Sequence, residues 1–262
     1  MKRVTTHQDE SLWDKQIIPS EAEKNKEMKE KKTAVWITGA SSGIGKAIAL
    51  EFIKNKIDVI ASSRKVDSLQ KTKDEFNNEY FHYFPLDITL PADVKSNAKK
   101  IFSSYRISCL INNAGITAFS PASEDSYAVV EDIIKTNLLG SISTIQNILP
   151  HFKKKGSGII INILSVAAIK SYENSSAYSA SKAGLLAYIN VLREELRGEN
   201  IKIVNILPGA TRTPIWPAES LAKHANKMMS PRDIAKFIFE IYKLKSNMVP
   251  EEIILRPLEG DI

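Results

Sequence analysis

Residues 34–52, AVWITGASSGIGKAIALEF, run without a break from an apolar, β-rich strand through a turn holding Gly39, Gly43 and Gly45 into a segment of helical apolar period. A strand handed to a helix through so short a glycine turn commits the chain to a βα unit. Gly39 allows the sharp exit from the strand, Gly43 lets backbone approach a pyrophosphate, and Gly45 lets helix and sheet pack closely. The helix that follows presents unpaired N–H groups and a positive dipole end to an anion.

The same alternation continues to the C-terminus. Strand candidates are AVWIT, DVIAS, FHYFP, SCLIN, GIIINI, KIVNIL and EIILRP. Helical periods fall near Ile44 to Lys54, Ser68 to Asn77, Ala92 to Phe102, Tyr127 to Phe152, Ala177 to Arg197 and Pro231 to Lys243. The last opens with Ser230 as N-cap, Pro231 at the first helical position and Asp233 in the first turn. Repeated βα units predict an α/β fold: one doubly wound, seven-stranded parallel sheet flanked by helices, in a single domain over residues 33–262. Residues 1–32 read instead as a charged, mobile or loosely helical leader, and its acids argue against a mitochondrial presequence.

Composition narrows the function. Hydrophobic residues make up 43% and charged residues 25%, the balance of a globular chain rather than a disordered one. No apolar run reaches the roughly 18 residues that cross a bilayer, so we expect a cytoplasmic protein without membrane contact. The +6 net charge is spread through helices among acids, which suits a small anionic ligand and gives no footprint for nucleic acid. The lone Cys109 lies in an apolar strand as a structural residue. His7, His82, His151 and His224 show no ligand spacing, so no metal site is expected.

TGASSGIG, Thr38 to Gly45, closely resembles the nucleotide-binding motif of the short-chain dehydrogenase/reductase family, and further motifs follow in family order as far as Pro257. The resemblance implies a Rossmann-like fold whose cofactor turn comprises Gly39, Ser41, Ser42, Gly43, Ile44 and Gly45. The second strand ends at Ser63 and Arg64, where an acid would select a ribose hydroxyl; arginine pairs with phosphate instead, and in the family a basic residue here goes with NADP(H) over NAD(H). Asp87 and Ile88 match the family's position beside the adenine ring. INNAG places Asn113, Ala114 and Gly115 next to the adenine ribose. LPGATRTP matches the nicotinamide turn, with Pro208 and Gly209 shaping it, Thr211 contributing backbone and Thr213 reaching the carboxamide.

Ser165 leaves the fifth strand thirteen residues before Tyr178, the family's spacing for a serine that hydrogen-bonds the substrate oxygen. Tyr178 and Lys182 lie one helical turn apart and project from one face. A nearby ammonium, with the positive nicotinamide of an oxidised cofactor, lowers a phenol's pKa, making Tyr178 the acid or base. By resemblance Lys182 also holds the nicotinamide ribose, and Asn137 anchors a water that relays protons to the lysine. The expected activity is hydride transfer between NADP(H) and a small-molecule carbonyl or alcohol. An epimerase or dehydratase on the same fold, or a non-catalytic nucleotide sensor, are the alternatives.

Substrate choice is assigned to residues 215–229, where Trp216, Leu221, Met228 and Met229 form either an apolar lid or a packed helix. Ala118, Phe119, Val166, Ala167 and Tyr172 are candidates for the opposite wall. The long helices Tyr127 to Phe152 and Ala177 to Arg197 are those the family packs between subunits, which implies a homodimer or homotetramer.

Overall fold

In a computed structural model, which describes residues 31–245 and 247–261, seven parallel strands form one sheet in the order β3-β2-β1-β4-β5-β6-β7. They are β1 (Lys32–Thr38), β2 (Asp58–Ser62), β3 (Phe81–Tyr83), β4 (Tyr105–Asn112), β5 (Gly158–Ile163), β6 (Ile201–Pro208) and β7 (Glu252–Leu255). The predicted leader lies outside the described residues except for its last two positions, and Lys32 already belongs to β1. The rest is a single domain.

Each strand sends alternate side chains to opposite faces, and both faces are covered. On β1, Ala34 and Trp36 enter one core with α3 (Pro91–Ser104), α5 (Ser141–Lys155) and α6 (Ser176–Glu195). Val35 and Ile37 enter the other, with α1 (Gly43–Lys54), α2 (Val66–Phe76) and α8 (Pro231–Lys243). Trp36 is fully buried, and its indole N–H donates to Ser62 Oγ at 3.0 Å, so the largest core side chain leaves no polar atom orphaned. Helix α8 begins where expected: Ser230 Oγ accepts from the Arg232 N–H, and the buried stripe Ile234, Ala235, Ile238, Phe239 packs against α1, with Phe239 edge-on to Phe52 at 5.1 Å.

Two elements depart from the sequence expectation. The helix expected over Tyr127 to Phe152 is broken into α4 (Tyr127–Ile134), a π-helical turn (Lys135–Gly140) and α5. Within that turn the fully buried Asn137 trades hydrogen bonds with the Ile116 backbone, and Gly140 lets Ile88 come so close that a Cβ would lie 2.8 Å from its side chain. Residues 218–224 form a short helix, α7 (Ala218–His224), where the sequence allows either a lid or a packed helix.

Across β4, β5 and β6, three buried amides meet side by side. Asn112 donates to Asn162 at 3.3 Å, Asn162 donates to Asn205 at 3.1 Å, and Thr144 donates to Asn112 Oδ1 at 2.5 Å.

Candidate active site

The sheet order reverses between β1 and β4, and the carboxyl ends of strands beside such a switch point open a crevice. Here that crevice is a cavity of about 930 Å³. Its floor is the first glycine turn. Gly39 has φ +67°, and a Cβ on it would lie 2.7 Å from Ala114 Cα, so no other residue fits without moving backbone. A Cβ on Gly45 would lie 2.4 Å from Asn113 Nδ2, the amide that donates to the Thr38 and Gly39 carbonyls at 3.0 Å each and ties the first turn to the fourth. Ser42, the N-cap of α1, makes no side-chain cap bond, which leaves its hydroxyl and the helix N-terminus to an incoming anion. The turn, the donors and the two cations Arg64 and Lys65 on the same wall fit a phosphorylated dinucleotide.

Of the sequence-predicted cofactor residues, Ser41, Ser42, Gly43, Ile44, Ser63, Arg64, Ile88, Asn113, Ala114, Gly115, Pro208, Gly209, Thr211 and Thr213 line the cavity with Gly39. Gly45 and Asp87 do not. Asp87 Oδ1 accepts from the Thr89 N–H at 2.9 Å and from its hydroxyl at 2.7 Å, a local Asx turn. Lys65, Ser68, Glu173 and Asp261 line the cavity without having been singled out. Lys65 follows Arg64 in sequence and adds a second cation to the same wall. Asp261 carries no motif and reaches the cavity because Lys170, at 2.7 Å, and Arg256 hold its carboxylate, which they push down to about 2.

Ser165, Tyr178 and Lys182 meet on that wall. Ser165 caps the short 3₁₀ turn Val166–Ala168, accepting from the Ala167 N–H at 3.1 Å, and lines the cavity with the Tyr178 phenol. Lys182 is buried, its Nζ donating to the Ile163 carbonyl at 2.9 Å and lying 5.8 Å from the Tyr178 ring centre. The expected lowering of the phenol is not what the protein alone produces: burial raises Tyr178 above its ordinary value, and the Ser165 hydroxyl offsets only part of that. Asn137 sits behind the wall. It donates to Ile116 O at 2.9 Å and Ser181 Oγ at 3.0 Å, and Ser181 donates to the Tyr178 carbonyl at 2.7 Å, linking the π turn to the tyrosine's own helix. A Cβ on Gly115 would stand 3.3 Å from Asn137 Oδ1 and 3.5 Å from Lys182 Nζ, so the glycine keeps both groups facing one volume.

Burial lowers Lys182 from 10.5 to about 8. Below pH 8 its buried charge costs the fold; between pH 8 and 10.5 the unfolded chain holds more protons than the folded one, so stability rises with pH. Lys182→Met is expected to flatten that rise by ~3 kcal/mol, read from urea unfolding of the cofactor-free protein.

Phe119 and Trp216 stack across the cavity's other end, with ring centres 5.1 Å apart and planes 14° from parallel, and the indole N–H donates to Thr211 O at 3.1 Å. Val166, Ala167 and Tyr172 join them on the wall. Leu221, Met228, Met229 and Ala118 do not: Met229 pairs with Thr211 as an isolated bridge and packs on the second core. Met229 therefore packs on the core and Met228 is buried, both outside α7.

A family model described as short chain dehydrogenase matches residues 33–224. Sepiapterin reductase of Chlorobaculum tepidum is 36% identical over 241 residues, covering 88% of this chain and 98% of that one. The 3-oxoacyl-[acyl-carrier-protein] reductase of Thermotoga maritima is 31% identical, covering 83% and 93%. Among solved structures, the closed form of serine dehydrogenase complexed with NADP+ superposes with a TM-score of 0.82 at 26% identity, covering 87% of this chain and 96% of that one. A matching family model, relatives matched over nearly their whole length, and a glycine turn facing a Ser-Tyr-Lys cluster across one crevice agree: the chain belongs to the short-chain dehydrogenase/reductase family of oxidoreductases.

Proposed function

We propose that the protein is an NADP(H)-dependent oxidoreductase acting on a carbonyl/alcohol couple, with Tyr178 as general acid/base. The observation that carries this reading is that Ser165, Tyr178 and the buried Lys182 line the same cavity as the glycine turn. The NADP-bound serine dehydrogenase and the exposed Arg64 and Lys65 support the choice of cofactor. When bound, that cofactor supplies or accepts hydride at the substrate carbon.

The chain's own residues manage the oxygen. Ser165 and Tyr178 donate to a carbonyl oxygen, and the phenol gives up its proton as negative charge develops there. The Lys182 ammonium, held by Ile163 O, stabilises the phenolate left behind. Asn137 holds the loop at Ile116 and faces, with Lys182, the volume beside Gly115 through which the proton is restored. The stacked Phe119 and Trp216 favour a neutral carbonyl compound with an apolar or planar face, in line with the relative named sepiapterin reductase. Exposed Leu139 and Val191, on the π turn and α6, are consistent with a homodimer or homotetramer packed through the long helices. Among the described residues no helix is long and apolar enough to cross a membrane, which fits a cytoplasmic enzyme.

The test is loss of nicotinamide absorbance with NADPH and a panel of sepiapterin, aromatic and aliphatic ketones, aldehydes and 3-oxoacyl thioesters. We expect aromatic carbonyls to turn over fastest, with one NADPH consumed per alcohol formed. Product without net NADPH loss would instead make the protein an epimerase or dehydratase.

A further inference from the structure

At the opposite, amino edge of the sheet lies a second cavity, of about 620 Å³, where β4, β5 and β6 begin and α5 and α8 end. Its wall carries Lys155, Lys202, Lys243 and Lys245, the hydroxyls of Ser108, Ser157 and Tyr242, and the amide of Asn200, with no carboxylate on it. Two helix C-termini account for part of that charge, since each attracts a cation with about half an elementary charge. Lys155 and Lys202 do meet carbonyls there, Ile107 O at 3.0 Å and Leu244 O at 3.2 Å. Lys243 also pairs with Glu240 at 2.8 Å.

Those contacts leave a surplus. An ammonium has three donors, and Lys155 uses one on Ile107 O, its remaining contact being with the Phe152 ring at 5.2 Å. No carboxylate of the described residues pairs with it, and Arg106 lies close enough to repel it. Burial and Arg106 together lower Lys155 to about 8. A half-buried cation beside a second cation, on a wall of further lysines, is stabilised by an anion.

We propose that this cavity is an anion site that takes a small phosphate-bearing molecule, with Lys155 at its base and Lys243 and Lys245 at its rim. The site stands apart from the catalytic crevice, so its occupancy is readable without turnover.

Inorganic pyrophosphate titrated into the NADPH-saturated enzyme, which keeps the dinucleotide crevice filled, is expected to raise the melting temperature and give a saturable heat of binding at pH 7. Lys155→Met and the rim pair Lys243→Gln/Lys245→Gln are each expected to weaken the affinity by about tenfold or more, the loss of one charge-assisted contact. The rim variant changes only exposed side chains, so a folding defect in Lys155→Met would not hide the result. Unchanged affinity in the rim variant, or an effect matched by sodium chloride of equal ionic strength, overturns the proposal.

Discussion

Tyr178→Phe is expected to lower kcat for carbonyl reduction by about 10²–10⁴-fold, the range a positioned proton donor contributes, while NADPH affinity is retained. The change removes one oxygen and little else. Phenylalanine keeps the ring under Lys182, whose ammonium stays on Ile163 O, and the helix stays tied to Asn137 through Ser181, which contacts only the Tyr178 backbone. Single-turnover absorbance with saturating NADPH reports the chemical step; quenching of protein fluorescence by NADPH reports binding. Turnover within tenfold of the parent enzyme would mean that another group delivers the proton.

Arg64→Asp is expected to move cofactor preference, costing NADPH about 10–100-fold in kcat/KM and improving NADH. The guanidinium is exposed and makes no ion pair or hydrogen bond with the described residues, so nothing in the fold depends on it. An aspartate at the same place accepts from ribose hydroxyls and repels a 2′-phosphate. The neighbouring Lys65 keeps one positive charge on the wall, which sets the lower end of the range. A ratio of kcat/KM values that stays fixed between the two cofactors would remove Arg64 from the phosphate site.

What the sequence showed depended on how local the cause was. The glycine turn, the strands and the Ser230 cap follow from neighbours within a few residues, and each stands where it was expected. Ser165, Tyr178 and Lys182 were singled out through the family resemblance, and strand edge and helix period explain why they line one cavity. Asp87 does not line the cavity, and a threonine two residues on engages one oxygen of its carboxylate. The π turn was hidden, because it answers to Ile116 and Ile88, distant in sequence. Asp261 was hidden in part for the same reason: Arg256 is near in sequence, but its other partner, Lys170, lies ninety-one residues away.

The amide row on β4, β5 and β6 answers a problem that a doubly covered parallel sheet poses. Such strands are apolar on both faces, so sliding one past its neighbour exposes no wrong side and costs little in burial. Sliding Asn162 past Asn205 by one place would strand the buried Asn162 amide without its acceptor, at about 1–3 kcal/mol, and would cost Asn112 one of its two. Three side chains therefore act as a vernier for the middle of the sheet. Because β5 ends two residues before Ser165, that alignment sets how far the serine stands out toward Tyr178.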